Sequence, residues 1–212
     1  MRTWTPRPGQ RAMLDFAAGK DKCLLLGKPG SGKSMAAITL ALETLAQWGG
    51  KILVVAPPIP ARIGWVRELG SWAATASLSV RAIQASDFGF ERRMDRSDPL
   101  VGRLKVADQA GVRKRLLGFP ETVHTVPWHL LWHFVERTQG ERWPYTTVIL
   151  DELDYAQSHA SKMFEAANHI SHELPVARVL GLSGTLSMDD PQQLWAPMQL
   201  IDNVKRLGKN IT

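Results

Sequence analysis

Eight consecutive residues, Gly27, Lys28, Pro29, Gly30, Ser31, Gly32, Lys33 and Ser34, fit the pattern G-x-x-x-x-G-K-[ST]. Glycines at these positions let the backbone turn tightly, so successive N–H groups wrap phosphate oxygens while the positive end of a following helix faces the same anion. The spacing then carries the Lys33 ammonium to the β- and γ-phosphates of a nucleotide and the Ser34 hydroxyl to Mg²⁺. A metal held in this way needs an acidic ligand from elsewhere in the chain. Val-Ile-Leu-Asp-Glu at residues 148–152 supplies it. Asp151 is placed to hold Mg²⁺ through its water shell, and Glu152 to orient and deprotonate a water attacking the γ-phosphate. Each motif has a plainer reading, a glycine-rich turn opening a helix or two acids capping the next segment. The two together are far more specific than either.

The elements that must position these residues follow from an alternation. Short apolar runs at residues 23–26, 52–56, 80–83, 123–126, 148–150 and 179–182 are each brief enough for a strand buried on both faces. Between them lie stretches with helical spacing: residues 35–48, closed by Gly49-Gly50; 61–74, with Trp65, Leu69 and Trp72 at i, i+4 and i+7; 127–134, opened by Pro127; and 161–170. Strand and helix in alternation predict an α/β fold, a parallel sheet with helices on both faces. In such sheets the chemistry sits in loops beyond the carboxyl ends of the strands, which is where both motifs fall. Residues from 87 to about 107 break the rhythm and read as a surface excursion. The basic run over 91–115 fits either a track for a phosphate backbone or an ordinary solvated face.

Composition narrows the class. The chain has 212 residues, 44% apolar and 22% charged, enough to bury a core and consistent with one domain over 1–212. Cys23 is the single cysteine, which excludes an internal disulfide and a cysteine-built zinc site. His159, His169 and His172 match no metal-ligand pattern and read as surface residues. The start of the chain lacks a secretory apolar stretch and no later run is long enough for a membrane span, so a cytoplasmic protein without a membrane partner is expected. A net charge of +6 is compatible with a polyanionic partner without identifying one.

Taken in order, these residues resemble the first RecA-like lobe of a superfamily 2 helicase, and more narrowly of the Swi/Snf-type DNA translocases of bacteriophages. Gln10 resembles the glutamine that reads adenine, and Gly27 to Ser34 motif I. Ala56-Pro57 with Trp65, Glu68 and Trp72 resembles motif Ia and its downstream Trp-x-x-Glu-x-x-x-Trp, and residues 123–132 the Ib region. Asp151-Glu152-Leu153-Asp154 resembles motif II, and Gly181-Leu-Ser183-Gly184-Thr185 motif III. Residues 194–195 through 207–209 also look like the phage subgroup.

The resemblance implies a P-loop NTPase of RecA-like, three-layer form, ATP and Mg²⁺ as ligands, and catalysis by Lys33, Asp151 and Glu152. It implies that Asp154, Ser183, Gly184 and Thr185 couple hydrolysis to movement. It also implies that Pro57, Arg62, Thr125 and Trp128 lie along DNA, taken as duplex and contacted mainly at its backbone. Taken from the residues alone, Gln10 also fits a surface position, Trp65 and Trp72 read as core anchors, and Ser183 to Thr185 also fits a plain turn. The chain departs from its relatives where Asp154 adds a carboxylate, where Ala156-Gln157 replaces a lysine, and where Leu186 replaces a proline. It also ends at Thr212 soon after motif III, so a second RecA-like lobe carrying an arginine finger is expected to complete the cleft. The lobe alone is then expected to hydrolyse ATP poorly. A regulatory module that binds nucleotide and DNA without turnover, and a terminase-like packaging ATPase, are the alternatives.

Overall fold

The computed structural model describes residues 2–89, 109–158, 160–185 and 191–203. Six strands, β1 (Lys22–Leu26), β2 (Lys51–Ala56), β3 (Val80–Ala82), β4 (Val123–Pro127), β5 (Tyr145–Asp151) and β6 (Arg178–Ser183), form one sheet in the order β1-β6-β5-β2-β4-β3. Every pairing is parallel. All six apolar runs are therefore strands, because a parallel sheet covered on both sides needs apolar side chains on both faces.

Those faces are two separate cores. Helices α1 (Pro8–Ala17), α2 (Lys33–Trp48) and α3 (Trp65–Ser71) pack Ala17, Ile38, Leu40, Trp65 and Leu69 against Ile52, Val54, Ile149 and Leu180. Helices α4 (Gln109–Gly118), α5 (Trp128–Thr138), α6 (Lys162–His172) and α7 (Pro191–Asp202) cover Leu53, Val55, Val148 and Leu150 with Leu116, Trp128, Phe134, Phe164 and Leu200. Alternate residues of β2 thus serve opposite cores, as the period of a strand requires. Each fully buried Leu or Ile contributes about 1.5 to 3 kcal/mol relative to exposure.

Three expected element boundaries need correction. The helix expected over 61–74 is divided into a wide π-helical turn at Pro60–Gly64, α3, and a 3₁₀ turn at Ala73–Thr75, with Trp72 in extended conformation between the last two. The apolar spacing is satisfied all the same, because Trp65 and Leu69 are buried and Trp72 packs half-buried on the same core, its indole donating to Glu68 at 3.1 Å. The helix after β4 starts at Trp128 and runs to Thr138, with Pro127 as its N-cap. The excursion does not begin at residue 87: Ala85–Phe88 is a 3₁₀ turn that buries Phe88, and Asp87 pairs with Arg81 at 2.8 Å. Residues 90–108, most of the basic run, His159, Leu186 and residues 207–209 lie outside the described residues.

His169 and His172 are half-buried rather than surface groups. His169 meets Glu173 at 2.8 Å, and His172 lies between Lys22 Nζ and the Gln199 carbonyl, each at 2.9 Å. Among the described residues, no helix is long and apolar enough to cross a membrane.

A buried polar pair lies on the sheet. His124 of β4 is fully buried, its Nδ1 2.5 Å from the Tyr145 hydroxyl of β5. Burial, reinforced by the Lys51 and Arg81 charges, lowers the imidazole from 6.5 to about 4, and burial also raises the tyrosine. Glu121 is the facing carboxylate, 3.9 Å from Nε2, too distant to reverse the shift. Unfolded chains take up this proton near pH 6.5 and folded ones near 4, so the unfolded state binds more protons within that window. Stability from this residue is complete above pH 6.5 and is lost as pH falls toward 4, by about 3 kcal/mol at most. Urea midpoints followed across that range are expected to show this decline, with a shallower slope in His124→Gln.

Candidate active site

Register brings the two motifs together. Leu26 at the end of β1 lies opposite Ser183 at the end of β6, and Leu182 opposite Asp151 of β5. The Gly27 N–H continues the ladder by donating to the Ser183 carbonyl at 3.2 Å. The loops after β1, β5 and β6 are therefore neighbours at the carboxyl edge of the sheet.

The first loop ends in α2, whose N-cap is Gly32 at φ 90°, ψ 23°. A side chain is excluded there twice over, by the left-handed backbone and because a Cβ would meet Gln10 Nε2 at 1.8 Å. Gln10 is 5% exposed, so it is not the surface residue that its proline-rich surroundings allowed. Its Oε1 accepts the Arg7 N–H at 2.9 Å and its Nε2 donates to the Ser31 carbonyl at 3.3 Å, while Arg7 Nη2 donates to the Gly30 carbonyl at 3.2 Å. Helix α1 thus braces the loop through Arg7 and Gln10.

Within the loop, Lys33 is 8% exposed and its ammonium donates to the Gly27 carbonyl at 2.5 Å and the Lys28 carbonyl at 3.3 Å. A phosphate, being anionic, is a stronger acceptor than these carbonyls. Ser34 follows on the first turn of α2, whose N–H groups have no helical acceptor and point toward the loop. Pro29 lies against Gly184, where a Cβ would be 3.3 Å from its ring.

Facing this loop are the acids. Asp151 Oδ2 accepts the Trp65 indole N–H at 2.8 Å, and the Asp151 carbonyl accepts the Trp128 indole N–H at 2.8 Å. The two indoles come from the two cores on opposite faces of the sheet. Burial pushes the Asp151 carboxyl upward; the Trp65 N–H counters this, the Glu152 charge adds to it, and Lys33 again lowers it. Glu152 has φ 51° and ψ 65°, a left-handed conformation that costs a non-glycine residue about 1 kcal/mol or more. The turn drops Leu153 into the core against Gly181, where even a Cβ would come within 2.9 Å of Leu153 Cδ2.

The residues expected to couple converge here. Ser183 Oγ donates to Asp154 Oδ1 at 3.4 Å, the Gly184 N–H to Glu152 Oε2 at 3.4 Å, and the Thr185 N–H to Ser183 Oγ at 3.2 Å. Ser183 to Thr185 is thus a turn that ties Glu152 and Asp154 to β6. As hard oxygen donors, Ser34 and Asp151 fit Mg²⁺, which takes one or two protein oxygens together with substrate phosphates and water.

The expected DNA contacts fare differently. Pro57 is buried, Thr125 is fully buried with its hydroxyl donating to the Ala61 carbonyl at 2.6 Å, and Trp128 is 1% exposed. Each of these three side chains is engaged here in packing or in an internal hydrogen bond. Arg62 is exposed on the wide turn, beside Ile59 and Ile63. From the basic run, Lys114 and Arg115 are exposed, and Arg113 pairs with Glu141 at 3.5 Å. Sequence reasoning took Trp65 only as an anchor and Trp128 as a DNA contact. The missed signal is that a buried indole N–H needs an acceptor.

Residues 7–194 match the DEAD/DEAH box helicase family. Among solved structures, the chain is similar to a Sulfolobus solfataricus SWI2/SNF2 ATPase core in complex with dsDNA, with a TM-score of 0.63 and 19% identity over 94% of this chain and 36% of that one. It is also similar to the UvsW helicase from bacteriophage T4, with a TM-score of 0.58 and 15% identity over 92% of this chain and 58% of that one. At such identities the likeness is one of fold, and the chain spans less than two thirds of either protein. No curated protein matches the chain.

Gly32→Ala is expected to displace Gln10 and strain the loop together. Its unfolding free energy should fall by about 1 to 3 kcal/mol in urea titrations, and its affinity for an adenine nucleotide by about tenfold or more in a fluorescence titration.

Proposed function

The chain belongs to the DEAD/DEAH box helicase family, and on that premise we propose that it is the ATP-binding, N-terminal RecA-like lobe of a phage DNA translocase of Swi/Snf type. The observation that carries this reading is the convergence of Lys33, Asp151, Glu152 and Gly184 at the carboxyl ends of three adjacent strands. The DNA-bound SWI2/SNF2 core and the phage helicase, as similar folds, support the assignment to DNA; a phage-infected bacterial cytoplasm is part of the same proposal.

Backbone N–H groups of residues 27–34 and the dipole of α2 would hold the β- and γ-phosphates, with Lys33 turning from the loop carbonyls to them. Ser34 and Asp151 would hold Mg²⁺, which when bound offsets charge developing on the phosphate oxygens. Glu152 would accept a proton from the attacking water, and its link to the Gly184 N–H gives β6 a direct hold on that carboxylate. A second RecA-like lobe, in trans or in a longer product, would close the cleft and supply an arginine; such a residue raises turnover of nucleotide hydrolases about 10³- to 10⁵-fold. Arg62, Lys114 and Arg115 would meet DNA at its phosphates, giving affinity without sequence reading.

Steady-state hydrolysis with and without duplex DNA tests this. Lys33→Ala is expected to lose nucleotide binding, whereas Glu152→Gln should keep binding and lose turnover by about 10²- to 10⁴-fold. Stimulation by DNA is expected once the second lobe is present. Equal rates with and without DNA in that complex would refute a translocase.

A further inference from the structure

Trp65 does more than fill the core. Its ring is 3% exposed among Leu69, Ile149 and other apolar side chains, a place that Phe or Leu could also occupy. Its N–H, however, takes as acceptor a carboxylate oxygen of Asp151, 2.8 Å away. Indole is a donor that neither accepts nor titrates, so this bond always presents a proton to the same oxygen. With Oδ2 held in this way, Oδ1 accepting the Glu152 N–H at 3.1 Å and the Asp151 carbonyl held by Trp128, the carboxylate cannot swing about its own axis without breaking a hydrogen bond.

The approach of Trp65 is itself constrained. It stands directly after the π-helical turn Pro60–Gly64, where i→i+5 hydrogen bonding accommodates an extra residue and shifts the phase of α3. The Thr125 hydroxyl donates to the Ala61 carbonyl at 2.6 Å and so pins that turn to β4, which only β2 separates from β5.

We propose that Trp65 is a positioning residue for the metal: by fixing Oδ2 it sets the direction in which Asp151 presents its remaining lone pairs to Mg²⁺, and Thr125 holds the turn that aims it. The inference rests on the reading that Asp151 holds Mg²⁺. That ion demands near-ideal octahedral geometry, so a carboxylate held only through Oδ1 by the Glu152 N–H is a poorer ligand at unchanged charge.

Binding of a fluorescent, non-hydrolysable ATP analogue to the full chain, titrated with Mg²⁺, tests the proposal without turnover. Trp65→Phe keeps a ring in the core and removes the N–H. The Mg²⁺ concentration for half-maximal binding is expected to rise on the order of tenfold, with binding recovered at high Mg²⁺. Leu69→Ala loosens the same core without touching Asp151 and should leave the midpoint in place. Should Trp65→Phe fail to fold, Thr125→Val, nearly isosteric, is expected to move the midpoint in the same direction by a smaller factor. An unmoved midpoint in Trp65→Phe and Thr125→Val, or an equal shift in Leu69→Ala, overturns the positioning role alone. Wild-type binding that is indifferent to Mg²⁺ overturns the metal-site reading, and the inference with it.

Discussion

Parallel pairing of β1, β6 and β5 is the constraint that creates the site. These strands begin at residues 22, 178 and 145, far apart in the chain, yet their register sets Leu26 beside Ser183 and Asp151 beside Leu182. Parallel strands end on the same edge, so the glycine-rich loop, the acidic turn and the Ser183 to Thr185 turn must share that edge. A one-residue slip between β5 and β6 would send every side chain on the strand to the opposite face, and both faces here are packed cores. The hydrophobic cores therefore enforce the alignment of polar groups that contribute nothing to hydrophobic burial.

The same cores reach into the site. Trp65 from one face and Trp128 from the other end on Asp151, while Leu153 fills the space left at Gly181. Glu152, between these anchors, is held in a left-handed conformation that an unconstrained glutamate would leave. Packing on either side of it supplies the constraint: Asp151 before it and Leu153 after it are both tied down.

Legibility in the sequence divided along physical lines. The strands were readable because burial on both faces writes an uninterrupted apolar run, and the phosphate loop because its glycines answer a backbone requirement at fixed spacing. Helices α1, α4 and α7 were not read. α1 starts within a proline-rich stretch, α4 carries Arg113, Lys114 and Arg115, and α7 has Pro197 inside it. The break at Pro60–Gly64 was invisible because Trp65 and Leu69 keep the i, i+4 spacing just past the boundary between a wide turn and a helix. Gln10 was legible as a candidate, but its hold on Ser31 depends on where α1 lies against the loop, which no local pattern encodes.

The residues thought to face DNA show why a resemblance between motifs does not settle what each side chain does. Thr125 stands midway along β4 and Trp128 at the start of α5, yet both point inward, one to the Ala61 carbonyl and the other to the Asp151 carbonyl. Their burial follows from the sheet order: β4 lies between β3 and β2, and helices cover it on both sides. Exposed instead is Arg62, on the turn that Thr125 pins and that leads directly into Trp65. The exposed Arg62 and the Asp151 carboxylate are therefore joined through one short element, the turn Pro60–Gly64 and the indole that follows it.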